Sequence, residues 1–121
     1  MDKWEAQYQF WSSFGIPAYE ENSVPDAGKV ELPYITYQSI TGTFDSNAYL
    51  SASIWSRSSS WVTADTIANS IEKRLANGGE VIPYEDGIIW VTPGEPLIQS
   101  MGDPVDREIK RKIVSVVLHF H

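Results

Sequence analysis

Apolar residues recur at helical spacing in two stretches of this chain and alternate with polar ones in two others. From Asp2 to Phe14, Trp4, Tyr8 and Trp11 fall at i, i+4 and i+7, Phe10 and Phe14 form an adjoining stripe, and Gly15 is a natural stop. This predicts an amphipathic helix with its aromatic face on a sheet, part of that broad stripe remaining open to a partner. The second helix is predicted over Thr63–Asn77, where Ala64, Ile67, Ala68, Ile71 and Leu75 make a clean core stripe. Thr63 or Asp65 is the expected N-cap, Lys73 and Arg74 suit the C-terminal dipole, and Gly78-Gly79 end it.

Alternation marks the strands. Tyr34–Thr41 is rich in β-branched and aromatic residues, and in Tyr49–Arg57 Leu50, Ala52 and Ile54 alternate with Ser51, Ser53 and Trp55. The link Gly42–Ala48 is short enough to join them as a hairpin whose serine side faces water. The last strand, Ile109–Phe120, sets Val114, Val116, Leu118 and Phe120 against Ser115, Val117 and His119 behind a charged start. Shorter strands are expected at Val81-Ile82, limited by Pro83, and at Ile88–Thr92 after the Glu85-Asp86-Gly87 turn signal. Ile16–Pro33 is irregular, with a short strand at Pro17–Tyr19, acidic residues Glu20, Glu21, Asp26 and Glu31, and a remainder that orders on assembly. The links are too short for parallel crossovers except across the second helix. The predicted fold is a single α+β domain over residues 1–121: a mostly antiparallel sheet, two helices packed on one face, and a long proline-bounded loop.

That loop, Pro93–Pro104, stands out. Three prolines and two glycines do not suit a hairpin turn, and Leu97, Ile98 and Met101 are an apolar group a solvated loop has little reason to carry. A long ordered connection of this kind usually serves a function. Arg107, Lys110, Arg111 and Lys112 follow it, flanked by Asp103, Asp106 and Glu108. The candidate contact with another protein or subunit is therefore Leu97, Ile98, Met101, Arg107, Lys110 and Arg111, an apolar centre with a polar rim. The rival is that the apolar trio closes the monomer's own core.

Composition narrows the function classes. A net charge of −7 repels phosphate, so the basic cluster is a salt-bridged or subunit-facing surface before it is a nucleic-acid footprint. Without cysteine there is neither a disulfide framework nor a thiolate metal site. No apolar run approaches the roughly 20 residues of a membrane span, and Met1–Glu5 lacks the basic and apolar regions of a signal peptide. The only histidines are His119 and His121, two imidazoles on one side of a strand without an obvious third ligand. There is no Gly-x-Ser-x-Gly elbow, and Gly78-Gly79 follow a helix with no Lys-Ser/Thr after them, which excludes a phosphate cradle. No catalytic residues, cofactor or metal are expected, and the chain is not expected to be an enzyme.

Several short motifs carry a resemblance: Gly15-Ile16-Pro17-Ala18-Tyr19, Ser23-Val24-Pro25, Leu32-Pro33-Tyr34-Ile35-Thr36-Tyr37, Asn77-Gly78-Gly79, Ile88-Ile89-Trp90-Val91, Gln99-Ser100-Met101-Gly102-Asp103 and Ile109-Lys110-Arg111-Lys112. In their order and spacing over residues 15 to 112 the chain resembles the tail-completion, or tail-terminator, proteins of long-tailed bacteriophages. The resemblance implies a virion protein, made in the host cytoplasm, that forms a hexameric ring at the head–tail interface. Such a ring caps the tail tube, stops its polymerisation and presents a surface to the head connector. Its implied partners are other copies of itself, the tail tube protein and the connector protein, with the subunits possible as monomers in solution, no specific nucleic-acid binding and no membrane. A ring through which DNA passes gains from an acidic or neutral lumen, with which the net charge is compatible. Competing readings are a head–tail connector or minor tail protein, a non-viral monomeric binding module that uses the aromatic helix, and a small enzyme.

Overall fold

The computed structural model describes residues 1–25 and 32–121. The elements run α1 (Lys3–Ser12), β1 (Ala18–Glu20), β2 (Tyr34–Tyr37), β3 (Asn47–Arg57), α2 (Val62–Leu75), β4 (Glu80–Tyr84), β5 (Gly87–Gly102) and β6 (Ile109–Phe120). The strands form one six-stranded sheet in the order β1-β2-β3-β6-β5-β4, antiparallel except for the β1–β2 pair. The fold is α+β, as the sequence predicts. Of the acidic residues and the ordering on assembly expected between Ile16 and Pro33, Asp26 and Glu31 lie outside the described residues.

Both helices contribute to one core. α2 seals Ala64, Ile67, Ala68, Ile71 and Leu75 against β3, β5 and β6, which present Leu50, Ala52, Ile54, Ile89, Val91, Val114, Val116, Leu118 and Phe120. α1 packs on β1, β2 and β4. It therefore reaches both edge strands of the sheet, which curls around the core to meet it. β4 carries Pro83 on its edge, a residue that deters further strand pairing.

Two helix expectations need correction. α1 is rotated from the predicted stripe: it buries Ala6, Gln7, Phe10 and Trp11 and leaves Trp4 and Tyr8 48% and 51% exposed. Gln7 makes that orientation possible. Its amide donates to the Ile40 carbonyl at 2.7 Å and accepts from the Ile40 N–H at 3.3 Å, so a buried polar group is satisfied while pinning the β2–β3 link to the helix. In α2 the N-cap is Trp61, with no side-chain cap bond, rather than Thr63 or Asp65; Asp65 instead holds Lys112 at 2.7 Å. The helix ends as predicted in kind. Asn77, Gly78 and Gly79 all take positive φ, and a Cβ at Gly79 would run into the Val91 carbonyl of β5.

The larger correction is the proline-bounded loop, which is strand. β5 continues to Gly102 beside β6. β4 is spent after pairing with Gly87–Val91, so beyond Thr92 the far side of β5 has no neighbouring strand in the sheet order, and prolines that lack a backbone donor are tolerated there. The irregularity is a bulge: Pro93 pairs with Val116 and Ile98 with Val114, so four residues, Gly94 to Leu97, stand opposite Ser115 alone. Gly94 lies close over β6, where an added Cβ would come 2.8 Å from the Ser115 carbonyl oxygen.

Candidate functional site

Cross-strand partners share a face of the sheet, so the register assigns each side chain to the helix-covered side or to the uncovered one. Pairing with Val114 puts Ile98 on the covered side, and it and Leu97 are partly buried against the core. Met101 pairs with Arg111 on the uncovered side and is 46% exposed. The predicted apolar trio is thus split: two members close the monomer's core and one faces out.

The basic cluster is split as well. Lys110 and Lys112 project under the start of α2, with their ammonium groups 5.5 and 5.0 Å from the Trp61 ring. Lys112 is mostly buried and bonds Asp65 and, at 2.6 Å, the Ser100 hydroxyl; Lys110 donates to the Arg107 carbonyl. These lysines fasten α2 to the sheet. Arg107 is exposed in the turn between β5 and β6. That turn is internally braced: the Asp103 carboxylate accepts from the Val105 and Asp106 N–H groups at 2.8 and 3.0 Å, and Arg57 bonds Asp106 at 2.7 Å. Those bonds hold both carboxyls below their usual range, backbone N–H donation being the main cause for Asp103 and the Arg57 bond for Asp106. Val105, at the tip, is 93% exposed.

Arg111 alone of the cluster stands at the middle of the uncovered face. Its guanidinium lies 4.6 Å from the Trp55 ring, its Nε donates to the Ser53 hydroxyl at 3.0 Å, and one terminal nitrogen approaches the Met101 sulfur at 3.9 Å. Trp55 is itself fixed, its Nε1 donating to Thr36 Oγ1 at 2.9 Å. Among the described residues no carboxylate lies within ion-pair distance of Arg111, whereas Arg57, farther along the face, is tied to Asp106 and Glu108. One groove of about 420 Å³ runs beside Arg111 past Tyr34, Thr36 and Trp55, and a smaller one of about 160 Å³ lies between Trp55, Met101 and Pro104. A third, about 530 Å³, follows Tyr49, Ser51, Ser115 and Val117 to the Gly94 bulge. Tyr49 is 78% exposed, and Tyr19 and Tyr34 meet edge to face at 5.7 Å on the same side.

His119 also lies on this face. Asn47 Oδ1 is 2.8 Å from its Nδ1, Thr92 Oγ1 is 2.9 Å from its Nε2, and the Trp90 ring covers it at 4.7 Å. Burial, and then the nearby His121, push its pKa down. With both ring nitrogens engaged it is a structural node of the sheet, and the described residues contain no group of three metal-ligand side chains. Among the described residues no helix is long and apolar enough to cross a membrane.

The arrangement is a broad sheet face that no described helix covers, carrying tyrosines, tryptophans, serines and an arginine over Trp55, with open grooves. Trp55, Tyr34 and Tyr49 belong to it and were missing from the predicted contact; for Tyr49 and Trp55 the available signal was their odd-numbered alternation with Leu50, Ala52 and Ile54, and Tyr34 joins them by pairing with Trp55. No family model matches the chain, and neither a curated protein nor a solved structure matches it.

Proposed function

We propose that this chain is a structural assembly protein of a long-tailed bacteriophage, a tail terminator whose copies form a ring on the end of the tail tube and join it to the head connector. The observation that carries the assembly part is the uncovered sheet face, where Trp55, Arg111 and Met101 stand together outside the core. Tryptophan, tyrosine and arginine are the residues that dominate binding energy in protein interfaces, and Trp55, Tyr34, Tyr49 and Arg111 occupy the side that no described helix covers. The virion part rests on the order of the short motifs from Gly15 to Lys112. In this reading the chain does no covalent chemistry and takes no cofactor; its partners are its own copies, the tube protein and the connector. Deleting the gene from its phage tests the proposal. The expected result is overlong tails and tailless heads, each reversed by supplying the protein; tails of normal length joined to heads would refute it.

A further inference from the structure

The proposed assembly needs a mate for the uncovered face, and a second patch on the same chain has the complementary chemistry. We infer that the outer face of α1 on one copy docks onto the Arg111–Trp55 groove of the next, a head-to-tail contact that rests on the assembly reading above. Among the described residues, two patches differ in their unpaired charge, a carboxylate on one and a guanidinium on the other. Around Trp4 and Tyr8, left exposed by the rotation of α1, stand the carboxylates of Asp2, Glu5 and Asp86; Asp2, Trp4 and Asp86 line one open groove of about 330 Å³ together with Lys3, whose ammonium donates to the Gly42 carbonyl at 3.2 Å. Asp2 is occupied in capping α1, accepting from the Glu5 N–H at 2.9 Å. Glu5 is exposed and makes no ion pair with any described residue.

The other patch centres on a guanidinium that lies over an indole and has no described carboxylate within ion-pair distance; grooves of about 420 and 160 Å³ flank it, and Glu21 lines the larger one. Arginine stacked in this way retains its outward N–H groups for a bidentate carboxylate. Because α1 lies across the core from the uncovered face, the two patches belong to opposite sides of the molecule. A contact between different patches is heterologous and propagates from copy to copy, closing as a ring when the rotation allows. The same acidic charge that would repel a second copy elsewhere is here matched by Arg111.

Charge exchange tests the pairing. Glu5→Arg changes a solvent-exposed helix residue, so its folding is not at issue; Arg111→Glu is checked by circular dichroism beside it. Sedimentation of the purified chain over a concentration series should show wild-type assembly, with either single variant associating about tenfold more weakly or worse. Mixing the two variants should restore assembly, because Glu5 of the one then meets Arg111 of the other and the reversed pair meets at the next contact. Wild-type assembly matched by both single variants would overturn this contact while leaving assembly standing. Loss in the single variants without recovery on mixing would overturn the Glu5–Arg111 pairing. A wild-type chain that stays monomeric throughout, and with tail tube protein added, would overturn both the contact and the assembly reading.

Discussion

Along β6 the side chains alternate between two environments. Val114, Val116, Leu118 and Phe120 are sealed beneath the helices, while Arg111, Ile113, Ser115, Val117 and His119 stand half-buried on the open side. The covered side is close-packed aliphatic chain against α2 and α1. The open side is built from tyrosine, tryptophan, serine and arginine, fixed by side-chain bonds such as Trp55 to Thr36 and Arg111 to Ser53. One side spends its apolar area within the monomer; the other keeps ordered but uncommitted surface. The difference teaches that order and stability are separable here: the open face is pre-organised, which lowers the entropy lost on docking, without carrying the core.

Truncation on the covered side should produce the largest effect. Ile71→Ala removes a fully buried side chain and should destabilise the monomer by about 2–5 kcal/mol, measured by urea unfolding. A loss below about 1 kcal/mol would mean that α2 does not seal the sheet. At the seam between helix and sheet, Lys112→Met should cost about 1 kcal/mol by releasing Asp65 at the start of α2 and Ser100 on β5. On the open side, Tyr49→Ser should change monomer stability by no more than about 0.5 kcal/mol, and a larger loss would deny the separation of the two faces.

The smallest expected effect is a pH dependence at His119. Its folded pKa lies below the ordinary 6.5, so the folded chain takes up its proton less readily than the unfolded one. Its contribution to stability is complete above that ordinary value and is lost as pH falls through the folded pKa. Comparing urea midpoints of wild type and His119→Asn between pH 5 and 8 isolates this slope; equal slopes would contradict it.

The sequence makes the covered side legible because burial there follows hydrophobicity: the α2 stripe and the β6 alternation are where the pattern places them. The rest depends on information that a local pattern lacks. Gln7 is buried and Trp4 exposed because an amide can satisfy the backbone of residue 40, a contact 33 positions away. The Pro93–Gly102 stretch is strand because β4 begins only at Glu80, opposite Val91, leaving β5 beyond Thr92 as an edge where proline is harmless. Met101 parts from Ile98, and Arg111 from Lys110 and Lys112, because residues an odd number of positions apart on a strand face opposite ways. Side-chain types singled out this part of the chain, but only register decides which of its residues point outward.

The central claim is that the open face is for association and dispensable for folding. Sedimentation velocity of Met101→Asp, run beside its circular dichroism melt, tests it most directly, since Met101 is the exposed member of the predicted trio and touches Arg111. The expected result is a wild-type melt with assembly abolished, as truncation or charge at an interface anchor commonly costs about 2 kcal/mol or more of binding. An unfolded Met101→Asp chain, or a folded one that assembles like the wild type, would contradict it.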